Sequence, residues 1–181
     1  DGRPWTELAV VDLAGGAERP FVAGKTTLSD VAWRPDGSAI SFLAKRGDDE
    51  HDALYLLPAD GGEAVRTVAL ETDIAAYAFS PDGARVALIA VEPEPEEVKK
   101  LKKQGFTQKV LEESLRHRRL WIAQLGGDAE PRRLELPGSA FQVRWSPAGD
   151  LLAVALAPSP LVDDRYMAQR IHLVKAEDGS V

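Results

Sequence analysis

Apolar residues in this chain come in short, recurring runs. Ala39 to Ala44, Ala84 to Val91 and Leu151 to Ala157 are each six to eight residues long. Each follows nearly the same phrase: Trp33-Arg34-Pro35-Asp36-Gly37, Phe79-Ser80-Pro81-Asp82-Gly83 and Trp145-Ser146-Pro147-Ala148-Gly149. Small or apolar residues at alternate positions (Val31, Tyr77, Val143) lead into each phrase, the two-residue period of a strand. Proline presets φ for the first central position of a tight turn, and glycine takes the φ > 0 position that a side chain disfavours. The pattern predicts a strand, a turn and a second strand, three times over.

A second phrase interleaves with the first. Leu8 to Leu13 runs into Gly15-Gly16, Leu54 to Leu57 runs through Pro58 to Gly61-Gly62, Leu120 to Leu125 runs into Gly126-Gly127, and Ile171 to Val174 runs on to Asp178-Gly179. Each is an apolar strand closed by a glycine turn. Arg19 to Val22, Ala64 to Val68 and Arg132 to Leu136 then offer a short outer strand after the first three. Four short antiparallel strands per repeat make a β-propeller blade. Trp33 and Phe79 are 46 residues apart, inside the roughly 40–50 of propeller repeats. Phe79 and Trp145 are 66 apart, which leaves an insertion of about 20 residues against that period. A β-sandwich with Pro-Asp-Gly hairpins is the competing architecture, and the fixed alternation of two phrases argues against it.

The predicted fold is therefore all-β, a β-propeller fragment of four-stranded antiparallel blades with a short helical insertion at about 92–119. The second half of a blade would occupy 1–30, whole blades 31–76 and 77–140, and an incomplete blade 141–181. Trp33, Phe79 and Trp145 should be equivalent core aromatics between blades. Ends that fall within blades predict a piece of a larger protein, or exposed edges that favour self-association.

Composition narrows the partners. A chain of 181 residues with 44% hydrophobic and 28% charged residues and 12 prolines suits a turn-rich globular domain. The net charge of −7 argues against generic nucleic-acid binding, which rests on cations at phosphates. No apolar run approaches the ~20 residues of a membrane helix, so neither nucleic acid nor membrane is expected as a partner. With no cysteine, nothing bears on redox compartment, and cytoplasmic, periplasmic and secreted locations stay open.

The insertion is the one segment that does not read as β. Pro95 fits a first helical position, Glu96 and Glu97 crowd the first turn, Lys99, Lys100, Lys102 and Lys103 follow, and Gly105 suits the C-cap. A helix is predicted at about 95–104. The chain then passes Phe106 to Ser114 and returns through Leu115-Arg116-His117-Arg118-Arg119. Arg116, Arg118 and Arg119 are the candidate contact for an anion, a substrate carboxylate or a second domain. Ordinary ion pairing with Glu112, Glu113 and neighbouring carboxylates is the competing account.

Catalytic patterns are missing. No Gly-x-Ser-x-Gly occurs. His51 lies among Asp48, Asp49, Glu50 and Asp52, a loose metal pattern better read as a solvated loop; His117 belongs to the arginine cluster and His172 to a strand. No histidine pair has the spacing of zinc ligands, and no phosphate-binding Gly-Lys-Ser/Thr occurs. Asp163-Asp164 could bind a cation or an amino terminus, with loop solvation as the plainer account. No catalytic residue, cofactor or metal is expected in this chain.

The Pro-Asp-Gly hairpin followed by a strand ending in Gly-Gly resembles the propeller repeat of the periplasmic TolB protein and of prolyl-oligopeptidase-type serine peptidases. The insertion, Lys103-Gln104-Gly105-Phe106-Thr107-Gln108-Lys109-Val110-Leu111-Glu112-Glu113 and then Arg116-His117-Arg118-Arg119-Leu120-Trp121-Ile122-Ala123, is similar to a blade insertion of acylaminoacyl-peptidase and dipeptidyl-peptidase-like members. That resemblance implies a non-catalytic propeller that gates and selects short peptides. The implied partner is an α/β-hydrolase domain of the same parent protein, whose Ser-Asp-His triad is absent here. The alternative it leaves open is a TolB-like scaffold that binds a protein and catalyses nothing.

Overall fold

The computed structural model describes residues 5–22, 26–106, 115–127 and 129–181. An antiparallel pair comes first, β1 (Leu8–Val10) with β2 (Arg19–Val22). A four-stranded sheet follows in sequential order: β3 (Leu28–Trp33), β4 (Ala39–Ala44), β5 (Ala53–Pro58) and β6 (Val65–Val68). The next sheet has the same order in β7 (Ile74–Phe79), β8 (Arg85–Val91), β9 (Arg118–Gln124) and β10 (Arg132–Leu134). Three strands form the last, β11 (Ser139–Trp145), β12 (Leu151–Ala157) and β13 (Arg170–Lys175). Helix α1 (Glu96–Lys103) lies between β8 and β9, and α2 (Val162–Met167) between β12 and β13. The chain is all-β, in antiparallel four-stranded meanders of the propeller kind.

The repeated phrases build the same turn each time. Arg34 N–H donates to the Ala39 carbonyl at 2.9 Å and Gly37 N–H to that of Arg34 at 2.9 Å. Ser80 and Gly83 repeat the pattern with Arg85 and Ser80, and Ser146 and Gly149 with Leu151 and Ser146. Gly37, Gly83 and Gly149 have φ of 71°, 67° and 73°, the left-handed region that favours glycine. Asp36 and Asp82 accept backbone N–H groups within their turns. The third copy has Ala148 instead, and there the Ser146 hydroxyl donates to Asp150 at 2.7 Å.

The chain divides into two compact units, residues 1–74 and 75–181. In the first, alternate residues of β4 and β5 (Phe42, Ala44, Ala53, Tyr55 and Leu57) form a core with Val22 and Leu28, and Leu8 and Phe21 pack against it. Phe42 and Tyr55 stack with ring centroids 5.8 Å apart. The Tyr55 hydroxyl donates to Asp49, which also receives Arg66. Burial and the Asp49 carboxylate push the Tyr55 phenol up to about 12, so this contact holds the β4–β5 loop with a neutral donor.

In the second unit two sheets meet face to face. Ile89, Leu120 and Leu134 from one meet Val143, Leu152 and Val154 from the other, all with at most 1% of their surface exposed. Burial of each such side chain stabilises by roughly 1.5–3 kcal/mol. Trp145 packs against this core beside Ala76 and Ala78.

Four features differ from expectation. The helix starts at Glu96, with Pro95 as its N-cap, because a proline N–H is not needed there. The insertion is shorter than 92–119: Arg118 and Arg119 already pair with Val91 and Ala90 in the β8–β9 ladder. The three aromatics are not equivalent, since Trp33 is 55% exposed. Trp145 has β7 of the neighbouring sheet to pack against, whereas among the described residues the sheet before Trp33 has only β1 and β2. Helix α2 forms where the sequence predicts a loop around Asp163-Asp164.

Candidate functional site

The two ends of the β8–β9 hairpin carry the two groups of functional interest. β9 has seven residues, so at the strand rise these ends are about 20 Å apart. Glu92 and the arginine cluster lie at the end where α1 is inserted. Arg85, Gln124 and Arg132 lie at the other.

Glu92 organises the first end. Its backbone N–H extends the ladder to the His117 carbonyl at 2.9 Å. Its carboxylate takes Arg119 Nε at 2.6 Å and the His117 N–H at 3.3 Å, with an Arg133 nitrogen 3.7 Å away. Burial opposes ionisation, but the Arg119 hydrogen bond and charge outweigh it and hold the Glu92 carboxyl below its ordinary value. Arg119 also donates to the carbonyls of Leu136 and Gly138 at 3.2 and 2.9 Å, joining β9 to the loop before β11. Arg116 donates to the Glu92 carbonyl at 3.3 Å. Glu112 and Glu113, the carboxylates weighed from sequence, lie outside the described residues.

Arg118 takes a different course. Its N–H donates to the Ser139 hydroxyl at 2.9 Å, and its guanidinium lies 5.3 Å from the ring centroid of Phe141. A second guanidinium, that of Arg165 on α2, lies 5.1 Å from the same centroid. Phe141 is aimed there by a β-bulge. Ala140 pairs with Leu156 and Gln142 with Ala155, so Phe141 has no partner in register and its side chain leaves the strand's alternation. The structure thus divides the three arginines: Arg119 is committed to Glu92 and backbone carbonyls, Arg116 to one carbonyl, and Arg118 to an aromatic ring. Arg165 and Glu92 were missed from sequence.

At the other end lies a cavity of about 760 Å³, lined by Arg85, Ile122, Gln124, Arg132, Asp150 and Lys175 among others. Arg85 stacks over Trp145 at 4.7 Å and donates to the Gly149 carbonyl at 2.6 Å. Arg132 donates to the carbonyls of Ala176 and Glu177 at 3.0 and 2.7 Å. Both guanidiniums brace the walls. Elsewhere, His51 Nδ1 is 3.1 Å from Asp73, and Asp163 and Asp164 occupy the first turn of α2. Among the described residues no group of three His, Cys, Asp or Glu side chains could hold a metal.

No protein-family model matches the chain. Over 78 residues, 43% of this chain, it is 27% identical to the uncharacterized peptidase YuxL of Bacillus subtilis, and the match covers 12% of that protein. The putative TolB of Agrobacterium tumefaciens superposes over 96% of this chain and 53% of its own, with a TM-score of 0.64 and 18% identity. The acylaminoacyl peptidase of Pyrococcus horikoshii superposes over 93% of this chain and 26% of its own, with a TM-score of 0.62 and 15% identity. This chain therefore spans about half the length of one structural relative and a quarter of the other. These likenesses show the β-propeller fold that the sequence pattern predicts.

Proposed function

We propose that this propeller is the non-catalytic, substrate-selecting part of a prolyl-oligopeptidase-type serine peptidase acting on short peptides. The observation that carries this reading is the likeness to YuxL, because it lies in the sequence itself whereas the fold alone serves unrelated functions. A rigid ring of blades over an α/β-hydrolase domain would admit short peptides and exclude folded proteins. Selectivity is then steric, trimmed by the loops that face the hydrolase. The superposition on TolB supports the second reading, a scaffold that binds a protein partner.

The coding sequence adjoining this segment decides between them. A Gly-x-Ser-x-Gly elbow after the last blade is expected. The full-length protein should then cleave short acyl-peptides, leave folded proteins intact and be silenced by a serine-directed phosphonate. A full-length protein without that elbow would leave only the scaffold.

A further inference from the structure

We propose that Arg118 and Arg165, held against the ring of Phe141, form a carboxylate-binding site. Two observations carry this. The bulge at Phe141 takes its ring out of the strand's alternation, and such re-aimed residues cluster at functional sites. Guanidiniums from two separate elements, β9 and α2, then converge on that one ring at 5.3 and 5.1 Å from its centroid.

The chemistry of the contact leaves both arginines free to bind. A guanidinium held over an aromatic ring is attracted by the ring's quadrupole and spends no conventional hydrogen bond on it, so its N–H fork remains available for a carboxylate. Among the described residues neither guanidinium is hydrogen-bonded or ion-paired to any side chain. Among the described residues the nearby carboxylates do not compensate them: Glu92 is taken by Arg119 and the His117 N–H, and neither Asp163 nor Asp164 pairs with Arg165. The two guanidinium carbons lie within about 10 Å of each other, from their distances to the shared centroid. Arg118 is half-buried and Arg165 exposed, so the first is the fixed element and the second can swing to close on a ligand. The choice of a peptide as the source of the carboxylate rests on the peptide-selecting function proposed above.

The test is a titration of the 15N-labelled chain, followed at the arginine Nε–Hε resonances. The probes are N-acetyl-tetraalanine with a free C-terminus, its C-terminal amide, N-acetyl-Ala-Glu-Ala-Ala-amide and inorganic phosphate. The free acid should shift the Arg118 and Arg165 signals, and its amide should bind at least about tenfold more weakly. The glutamate peptide identifies the source: if it matches the free acid, a side chain serves as well as a terminus, and if it matches the amide, the site reads the terminus. Either outcome supports the site. Arg165→Gln, a change on the exposed face of a short helix, and the double variant with Arg118→Ala should abolish the preference for acid over amide, while Lys175→Ala at the distant cavity leaves it intact. Equal binding of acid and amide, preference for phosphate, or no binding at millimolar peptide would overturn the proposal. These titrations need no hydrolase, so they stand or fall apart from the peptidase reading, which the downstream sequence decides.

Discussion

The Trp145 indole N–H donates to the Ala78 carbonyl at 2.9 Å, across 67 residues of sequence. Arg85 covers the same indole at 4.7 Å. One side chain thus joins the first strands of two successive sheets. Trp145→Ala should cost about 3–5 kcal/mol, and Trp145→Phe, which keeps most of the bulk but leaves the carbonyl without its donor, about 1–2 kcal/mol. Trp33→Ala, at a 55% exposed position, should cost less than about 1 kcal/mol. Urea unfolding of the three variants measures the contrast, and equal losses at Trp33 and Trp145 would restore the equivalence that the repeat suggests.

The hairpins were legible because their determinants are local. Aromatic, proline and glycine stand within five residues, and a turn needs nothing further away. Ala148 shows how far the local rule reaches, since the third turn forms with its acid displaced to Asp150. Contacts between residues distant in sequence were not legible. Arg119 finds Glu92 at a separation of 27 residues, and Phe141 leaves the strand alternation through a bulge that no residue in its sequence marks. Helix α2 has six residues after Pro158-Ser159-Pro160, too few to show a helical period, so Arg165 could not be placed beside Arg118.

Glu92 should make stability depend on pH in acid. Its carboxyl titrates below the ordinary value of 4.5 because Arg119 favours the ionised form more than burial opposes it. A folded value below the unfolded one means that the contribution is present above pH 4.5 and is lost as the pH falls through the folded value. Glu92→Gln should therefore cost about 1–2 kcal/mol at pH 7, and the gap to the parent should narrow steadily between about pH 5 and 3. Unfolding midpoints across that range test it. A gap that stays constant would mean that the charge on Glu92 contributes nothing.

Gly138 and Gly37 share a left-handed backbone, with φ of 72° and 71°, but not their surroundings. A Cβ on Gly138 would stand 2.1 Å from the Ala157 carbonyl oxygen, while one on Gly37 would meet nothing within 4 Å. Gly37→Ala should cost only the conformational penalty, about 1 kcal/mol. Gly138→Ala adds a clash with backbone that cannot swing aside, and it disturbs the carbonyl that receives Arg119. A loss above about 3 kcal/mol is expected, read as failure of soluble expression or a markedly lower thermal midpoint. Similar costs at the two sites would show that the backbone at Ala157 yields easily.

The inserted segment can be separated from the sheet it interrupts. Helix α1 has no buried residue, and the ion pairs Lys99–Glu96 and Lys102–Glu94 tie it to itself and to its own approach. Glu92 and Arg119, by contrast, brace the sheet. Replacing residues 94–115 with a short Gly-Ser linker should keep the fold and change stability by no more than about 1 kcal/mol, since loop length enters closure entropy only logarithmically. Removing 92–119 takes away the Glu92–Arg119 pair and the first two residues of β9, and that variant should not fold cooperatively. Circular dichroism melts of the two deletions give the comparison. If the shorter deletion also unfolds the chain, α1 is bound to the sheet by contacts beyond these ion pairs.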